Sequence, residues 1–318
     1  MGKMNTALCS FLSNTIRFAD FFNGVLFQGR EIIRASDLQA ASEQYSETEG
    51  TNSQNFRDIK MYLGSGETLR ILALENQNSV DYTLPYRCMQ YDAMEYGRQL
   101  KELKQYNTSR KLLRNSAEWL CGITKDDRLA PVYTLCLYHG EDPWDGPLTL
   151  KDMMRFDDDR ENLQQYFADY PLRLYCVNAQ TDFNCFHSEL REVFTALHYR
   201  RDKTGLFSVM SENDTFRKLN RETFQVLSIL LNSPRLWAER EKFMWANQEE
   251  EEYNMCQALQ ELFDDGVSQG LSQGLSQGID LMNLLVQKLL ENNQLDDLKK
   301  ATADPTFRDE LMKRYHLK

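Results

Sequence analysis

The segment "RILALENQNSVDY", Arg70 to Tyr82, joins an apolar run directly to a carboxylate and an amide. Ile71 to Leu74 are all apolar, which is typical of a buried strand. Side chains alternate along a strand, and one face of this strand therefore carries Leu69, Ile71, Ala73, Glu75 and Gln77. Glu75 and Gln77 consequently stand side by side at the rim of the core. They are either a polar strand end that meets water or a ligand pair of a metal site.

A β-hairpin is predicted around this segment. Strands over 56–63 and 68–77 flank "GSGE" (64–67), a Gly-rich turn that suits a hairpin. Asp58 lies in the first strand, so the hairpin would bring its carboxylate towards the end of the second strand, near Glu75. Two carboxylates and a neighbouring backbone carbonyl suit a hard cation such as Mg²⁺, which takes oxygen ligands and keeps several waters.

A site of this composition has a defined chemistry. A bound Mg²⁺ lowers the pKa of its water and clamps a phosphate, which hydrolysis of a phosphodiester requires. Acids at strand ends are common, so Asp58 and Glu75 alone leave the metal site and the solvated strand end both open. The chain has no dinucleotide-binding or P-loop glycine pattern and no H-E-x-x-H.

The charge balance limits the classes of ligand. The chain has 318 residues and a net charge of −11, with a pI near 5.0. Proteins that coat nucleic acid non-specifically rely on Lys and Arg, so this balance restricts any nucleic-acid contact to a metal site or a small basic patch. The seven Cys are scattered without a C-x-x-C pair, which indicates reduced thiols and hence a cytoplasmic protein. No segment approaches the ~20 apolar residues that cross a bilayer.

The remaining pattern alternates between helices and strands. Helices are predicted over 5–33 and 85–106, strands over 129–140 and 171–179, and helix again from Phe186 onward. The polar stretch 36–55 is predicted as a loop or as an insertion that orders on binding. Strands interleaved with helices and then followed by helices point to an α/β core with a helical C-terminal part.

A repeat of period four precedes the C-terminal tail, and it reads "GVSQGLSQGLSQGI", Gly266 to Ile279. As a helix it would place its glycines on one stripe, at a cost of about 0.8–1 kcal/mol each relative to Ala, which only the close approach of another helix offsets. As a low-complexity linker it would tolerate changes in repeat number. The sequence leaves both interpretations open. The tail, 280–318, is predicted as a charged amphipathic helical segment.

Five segments, taken in order, carry a resemblance to a known family. They are "FADFFNGVLFQG" (18–29), "FRDI" (56–59), "ALENQNSVDYTLPYRCMQYDAMEY" (73–96), "LAPVYTLCLYHGEDPWDGPLTLKDM" (129–153) and "FHSELREVFTALHYRRDK" (186–203). In this order they are similar to the Rpn/YhgA-like family of recombination-promoting nucleases and transposase-type proteins, within the PD-(D/E)xK nuclease superfamily. The likeness covers most of the chain except 36–55, and it includes the repeat tract before the tail.

The resemblance implies a fold, an activity and a domain division. The fold is an α/β PD-(D/E)xK nuclease-like core, a helix followed by a mixed sheet flanked by helices, with a helical C-terminal extension. The activity is Mg²⁺-dependent cleavage of DNA by an endonuclease that hydrolyses phosphodiester bonds in recombination or mobile-element biology. The division is a nuclease-like domain over 1–205, a helical region over 206–265, and the repeat tract with its tail over 266–318.

The resemblance also assigns site residues. Asp58 falls on the superfamily's metal-binding Asp and Glu75 on its second acid, so both are expected to bind Mg²⁺ and to act in catalysis. Gln77 falls where most members carry the Lys that orients the attacking water, and a neutral amide positions water without supplying a positive charge. Asp20 falls where the first helix of many members adds another acid, and it is either a third metal ligand or a surface residue.

Two cations are candidate contacts for DNA phosphate. Lys60 is either a substitute for the missing Lys or an outward, solvated side chain. Arg87 is either a phosphate contact or an Arg paired with an acid at the rim of the core. The expected partners are DNA and, as an option, a second copy of the chain through the C-terminal tail, with no membrane. The competing hypothesis is a catalytically silent protein that keeps the fold and acts in protein–protein or DNA-associated interactions.

Overall fold

A computed structural model describes residues 2–41, 57–156, 162–245 and 251–317, and its contacts divide the chain into two compact units. The first unit is Met1–Met255 and the second is Cys256–Lys318. The boundaries expected at 205 and 265 differ from this division, and the three-part division into domains stays a prediction. No described helix is long and apolar enough to cross a membrane.

Helices and strands alternate through the first unit, as the α/β class requires. Its helices are α1 Lys3–Leu12, α2 Thr15–Phe27, α3 Leu84–Ser109, α4 Ser116–Cys121, α5 Leu190–Tyr199, α6 Lys203–Glu212, α7 Arg221–Leu230 and α8 Pro234–Ala238. Its strands are β1 Leu38–Ala40, β2 Ile59–Leu63, β3 Arg70–Gln77, β4 Val132–Tyr138, β5 Leu174–Cys176, β6 Leu219–Asn220 and β7 Glu252–Tyr253. The α/β class predicted from the sequence is confirmed.

Among the described residues, five strands form one mixed sheet in the order β1-β2-β3-β4-β5. β2 runs antiparallel to its neighbours β1 and β3, while β4 and β5 continue parallel to β3. The predicted hairpin joins β2 to β3, and Gly64 and Gly66 supply the positive φ angles of +76° and +56° in its turn. α3 provides the crossover that a parallel β3–β4 pair needs.

β3 is the central strand of this sheet, and its position explains its composition. Ile71 to Asn76 are all buried, because β2 and β4 pair with its two edges while α1 and α3 pack against the sheet. A strand covered in this way is a nearly continuous apolar run. A charged or amide side chain inside such a strand therefore requires partners or a function.

An aromatic cluster joins α2 to β5 and α5. The ring of Phe21 lies edge-on to Tyr175 at a centroid distance of 5.9 Å, and Phe186 lies edge-on to Phe194 at 5.0 Å. A Cβ atom at Gly24 would stand 2.3 Å from the Phe186 ring, so glycine is what allows α2 to approach this closely. The cluster fixes α2 against the sheet.

The strand predicted over 171–179 is limited to Leu174–Cys176, and two further predicted elements are divided differently in the structure. The single helix expected over 5–33 is two helices, because Asn14 caps α2 by accepting hydrogen bonds from the N–H groups of Ile16 and Arg17 at 2.9 and 3.4 Å. The polar stretch 36–55 contains the edge strand β1, so it is not wholly a loop. Residues 42–55 of the predicted insertion lie outside the described residues.

The second unit is helical and has its own core. It contains α9 Met255–Glu291 from Cys256 onward, α10 Leu295–Ala303 and α11 Pro305–Arg314. The repeat tract lies within α9, so the structure shows the helical alternative of the two. Cβ atoms added to its glycines would meet no neighbouring side chain or other element within 4 Å. The core of the unit consists of Leu285, Leu289, Ala301, Leu311 and Met312.

Candidate active site at the carboxyl end of β3

Asp58 and Glu75 meet where β2 begins and β3 ends. The register pairs Ile59 with Leu74, so the next position along the hairpin sets Asp58 across from Glu75. Oδ2 of Asp58 accepts a hydrogen bond of 2.7 Å from the backbone N–H of Asn76, which fixes the carboxylate beside the end of β3. The sequence prediction that the hairpin brings these two acids together agrees with this arrangement.

Burial and mutual repulsion govern the charge of the two acids. Burial and, after it, the negative charge of Asp58 raise the pKa of Glu75 to about 8, against the opposing charges of Arg57 and Arg87. Burial also raises the pKa of Asp58, against the hydrogen bond from Asn76 and the charge of Arg87. Two acids that resist ionisation side by side form a pair that a cation would stabilise.

The two oxygens of Glu75 have different surroundings. Oε2 lies 3.4 Å from Nη2 of Arg87. Oε1 is buried and has no hydrogen-bond partner among the described residues, although the Glu75 side chain is only 1% exposed. A buried carboxylate oxygen without a partner costs free energy, so this atom is a position for a cation, a proton or a water.

Arg87 closes the site on the side of α3. Besides Glu75, its guanidinium pairs with Asp81, and it lies 5.9 Å from the centroid of the Tyr91 ring. Of the two interpretations left open by the sequence, the structure shows the Arg paired with acids at the rim of the core. Contact of Arg87 with a DNA phosphate stays a prediction.

Gln77 is the last residue of β3 and stands on the same face as Glu75. Its backbone carbonyl accepts a hydrogen bond of 3.0 Å from the N–H of His139, which ties it to the end of β4. Its half-buried side chain makes no hydrogen bond with any described residue. The amide is therefore available to a ligand beside Glu75.

Lys60 is directed to a different partner. Its Nζ lies 3.1 Å from Oε2 of Glu95 on α3, and its side chain is only 26% exposed. The expectation of an outward, solvated Lys60 is therefore wrong, because the buried carboxylate of Glu95 binds the ammonium group over the sheet. A role for Lys60 at a phosphate stays a prediction and would require exchange of this ion pair.

The carboxylate of Asp20 is engaged in hydrogen bonds within the fold. Its carboxylate accepts hydrogen bonds from the N–H of His187 at 3.0 Å, from the N–H of Ser188 at 2.8 Å and from Oγ of Ser188 at 2.5 Å. Among the described residues, no group of three or more His, Cys, Asp or Glu is arranged to hold a metal ion. Asp20 is thus not brought to Asp58 and Glu75, because it is used to hold the segment that precedes α5.

Sequence reasoning missed Arg57, which stands directly before Asp58. Its buried guanidinium pairs with Asp92 and donates to Oγ1 of Thr134 on β4. Its charge opposes the rise in the pKa of Glu75 more than that of Arg87 does. The only signal in the sequence was its place in "FRDI", since Thr134 is 77 residues away.

A second feature that sequence reasoning missed is a buried polar chain on the α1 side of β3. Nδ2 of Asn76 donates to the carbonyl of Asn5 at 3.3 Å and to Sγ of Cys9 at 3.5 Å, and Asn5 Oδ1 lies 3.0 Å from Nε2 of His139. Burial, then the charge of Asp58, raises the pKa of Cys9 to about 12, so this thiol is protonated and unsuited to nucleophilic attack. Burial lowers the pKa of His139 to about 4, which leaves the imidazole neutral.

The arrangement brings together Asp58, Glu75, Gln77 and Arg87, with Arg57 behind them, and leaves Asp20 and Lys60 on other partners. In comparisons with known proteins, the chain matches no family model, no curated protein and no solved structure.

Proposed function

We propose that the protein is a Mg²⁺-dependent DNA endonuclease of the recombination-promoting type, which hydrolyses phosphodiester bonds. The observation that carries the proposal is the pairing of Asp58 with Glu75 at the end of the central strand, with Oε1 of Glu75 buried and unpartnered. A cation between its members would stabilise such a pair in its ionised form, and oxygen ligands favour a hard dication. The two acids thus fit the metal that the resemblance implies.

The topology supports the same proposal. Helices α1 and α2 precede the β1-β2-β3 antiparallel strands, and α3 then leads into the parallel strand β4. A helix followed by a mixed sheet flanked by helices is the core that the resemblance to the PD-(D/E)xK superfamily implies. A fold by itself does not establish an activity, so the proposal depends mainly on the two acids.

Asp58 and Glu75 would hold the cation, and each is already oriented by the protein. The N–H of Asn76 occupies Oδ2 of Asp58 and leaves Oδ1 free of hydrogen bonds within the described structure. Arg87 restrains Oε2 of Glu75 and leaves Oε1 without a partner. When bound, Mg²⁺ supplies a water of lowered pKa and neutralises charge on the phosphate.

Gln77 and the two arginines complete the proposed site. The free amide of Gln77 lies on the face of Glu75, where it would orient the attacking water. The superfamily Lys is absent at this position, so positive charge comes from Arg57 and Arg87, which both act on Glu75. Positioned donors and charges of this kind stabilise the charge that develops in the transition state.

A nicking assay on supercoiled plasmid DNA, with Mg²⁺ and with EDTA, tests the proposal. Asp58→Ala removes one of the two ligands, which costs several kcal/mol of transition-state stabilisation, or about a thousandfold or more in rate. The exposed Asp280→Ala is the matched control and should cleave like the wild type. A folded Asp58→Ala protein with full activity would refute the assignment, whereas its unfolding would indicate a structural acid.

One observation favours the second candidate, a catalytically silent protein of the same fold that acts in protein or DNA-associated interactions. Glu75 is paired with Arg87, and its pKa of about 8 favours the uncharged form in the absence of a cation. Calorimetric titration with Mg²⁺ or Mn²⁺ separates the two candidates. The silent protein would bind neither ion at Asp58 and Glu75, and the nuclease would lose binding in Asp58→Ala.

A further inference from the structure

Residues 97–128 form a basic region in an acidic chain. This region holds eight Lys or Arg against four Asp or Glu, whereas the whole chain holds 37 against 48. It covers the second half of α3, the helix α4 and the loops that flank α4. Such a local reversal of charge is the kind of small basic patch that an acidic protein needs for contact with nucleic acid.

Most cations of this region are available to a partner. Six of them are exposed, and within the described part of the chain no carboxylate oxygen lies within 4.0 Å of the charged group of any of the six, whereas Arg98 is paired with Glu95 and Glu102. They are called the basic lobe: Lys101, Lys104, Arg110, Lys111, Arg114 and Lys125. In this respect the basic lobe differs from the cations near Glu75, namely Arg57, Lys60 and Arg87, which are all engaged in ion pairs.

Asn107 holds the segments of the basic lobe together. It is buried, and its amide donates to the carbonyl of Gly122 at 3.3 Å and to Oδ2 of Asp127 at 2.7 Å. Its backbone carbonyl accepts a hydrogen bond from the N–H of Leu112 at 3.0 Å. The stem of Lys104 crosses Gly122, where an added Cβ would lie 2.4 Å from its Cγ. The charges of three segments are thus set on one preorganised surface.

Exposed aromatic side chains lie among these cations. Tyr106 is 55% exposed and Trp119 is 57% exposed. The guanidinium of Arg110 lies 5.8 Å from the centroid of the Tyr106 ring. Exposed rings interleaved with cations suit nucleic acid, because bases stack on the rings while the cations meet phosphates. An acidic protein partner or a fully paired duplex would use the charges alone, whereas DNA with unpaired bases would use the rings as well.

We propose that the basic lobe binds the backbone of DNA as a second contact, away from the candidate active site. The inference rests on the proposed function, and it specifies where the DNA that flanks the scissile phosphate would lie. Lys101 follows Arg87 by fourteen residues on the same helix, a rise of about 21 Å. At 3.4 Å per base pair, this is about six base pairs between the scissile phosphate and the lobe.

Fluorescence anisotropy with a labelled duplex tests the proposal in the full chain. The protein carries Asp58→Ala and the buffer contains EDTA, so that binding is measured without cleavage. The charge reversals Lys101→Glu and Lys125→Glu, made together, should weaken binding at least about tenfold and lower the slope of log Kd against log salt by about 2. The matched control reverses two exposed lysines elsewhere, Lys203→Glu and Lys218→Glu, and should bind within twofold of the parent.

Two further measurements make the test specific. Trp119→Ala should weaken binding of single-stranded DNA more than that of the duplex, because only unpaired bases can stack on the indole. Equal weakening by the control pair would overturn the proposal, and so would displacement of the DNA by polyglutamate, which would instead indicate an acidic protein partner. Because binding is measured in an inactive variant without metal, loss of the lobe contact and lack of nuclease activity are separate outcomes.

Discussion

At the scale of single residues, Glu75 decides how the site responds to pH. The folded pKa of about 8 lies above the ordinary 4.5, so the folded protein holds a proton that the unfolded chain releases. Stability contributed by the protonated form is fully present below pH 4.5 and is lost as the pH rises towards 8. The loss is of the order of 5 kcal/mol when no cation is bound.

Glu75→Gln should remove this loss, because the amide has the shape of the protonated acid and does not titrate. In EDTA the variant should unfold at higher urea than the wild type at pH 9, and at nearly the same urea at pH 4.5. The exposed Glu31→Gln serves as control and should follow the wild type at both pH values. Equal stability of the wild type and Glu75→Gln at pH 9 would show that ionisation of Glu75 does not lower the free energy of unfolding.

Gln77 gives a second prediction at this scale. If its amide orients water, Gln77→Ala should lower kcat about a hundredfold and leave Mg²⁺ affinity nearly unchanged. Gln77→Lys restores the residue usual in the superfamily and should keep or raise the activity. Single-turnover cleavage across a Mg²⁺ titration provides both quantities. Equal rates for the wild type and both variants would reduce the site to its two acids.

At the scale of elements, glycines in two helices have opposite roles. In α2, Gly24 allows the helix to lie against Phe186, whereas in α9 the glycines of the repeat have open space around them. An exposed helical glycine is less favourable than alanine, because the helix must order a freer backbone. Identical substitutions in the two helices should therefore change stability in opposite directions.

Gly274→Ala should stabilise α9 by about 0.8–1 kcal/mol, and Gly24→Ala should destabilise the first unit by about 1–3 kcal/mol through overpacking. Thermal unfolding followed by circular dichroism, with each variant beside the wild type, measures both effects. A destabilised Gly274→Ala protein would mean that another surface packs on the glycine stripe of α9.

At the scale of the whole molecule, two separate cores hold the chain. Leu289 belongs to the core of the second unit, and Phe22 belongs to the aromatic core of the first. A large-to-small change in either core removes buried contacts and leaves a cavity. Its effect on function should depend on which unit it lies in.

Leu289→Ala should cost about 2–5 kcal/mol in the second unit and leave Mg²⁺-dependent cleavage unchanged at low temperature. Phe22→Ala should cost a similar amount in the first unit and reduce cleavage as well. Calorimetry resolves the transitions, and the nicking assay reports the activity. Loss of cleavage in Leu289→Ala, with the first transition intact, would place part of the active machinery in the second unit.

The sequence by itself determined the elements whose signals are local. The hairpin of β2 and β3 follows from strand periodicity and a Gly-rich turn, and it brings Asp58 to Glu75 because these residues are close along the chain. The mixed α/β class followed from the alternation of helices and strands. Side-chain alternation and turn chemistry act over a few residues, so a single sequence is enough to show them.

Only the tertiary structure decided which groups surround those acids. Arg57 reaches Thr134 across 77 positions, and Asp20 binds the N–H of His187 across 167 positions. The burial of Glu75 likewise depends on helices that pack on the sheet from distant parts of the chain. Ion pairs, burial and pKa values depend on distances in space, and no periodicity in the sequence encodes the folding that sets them.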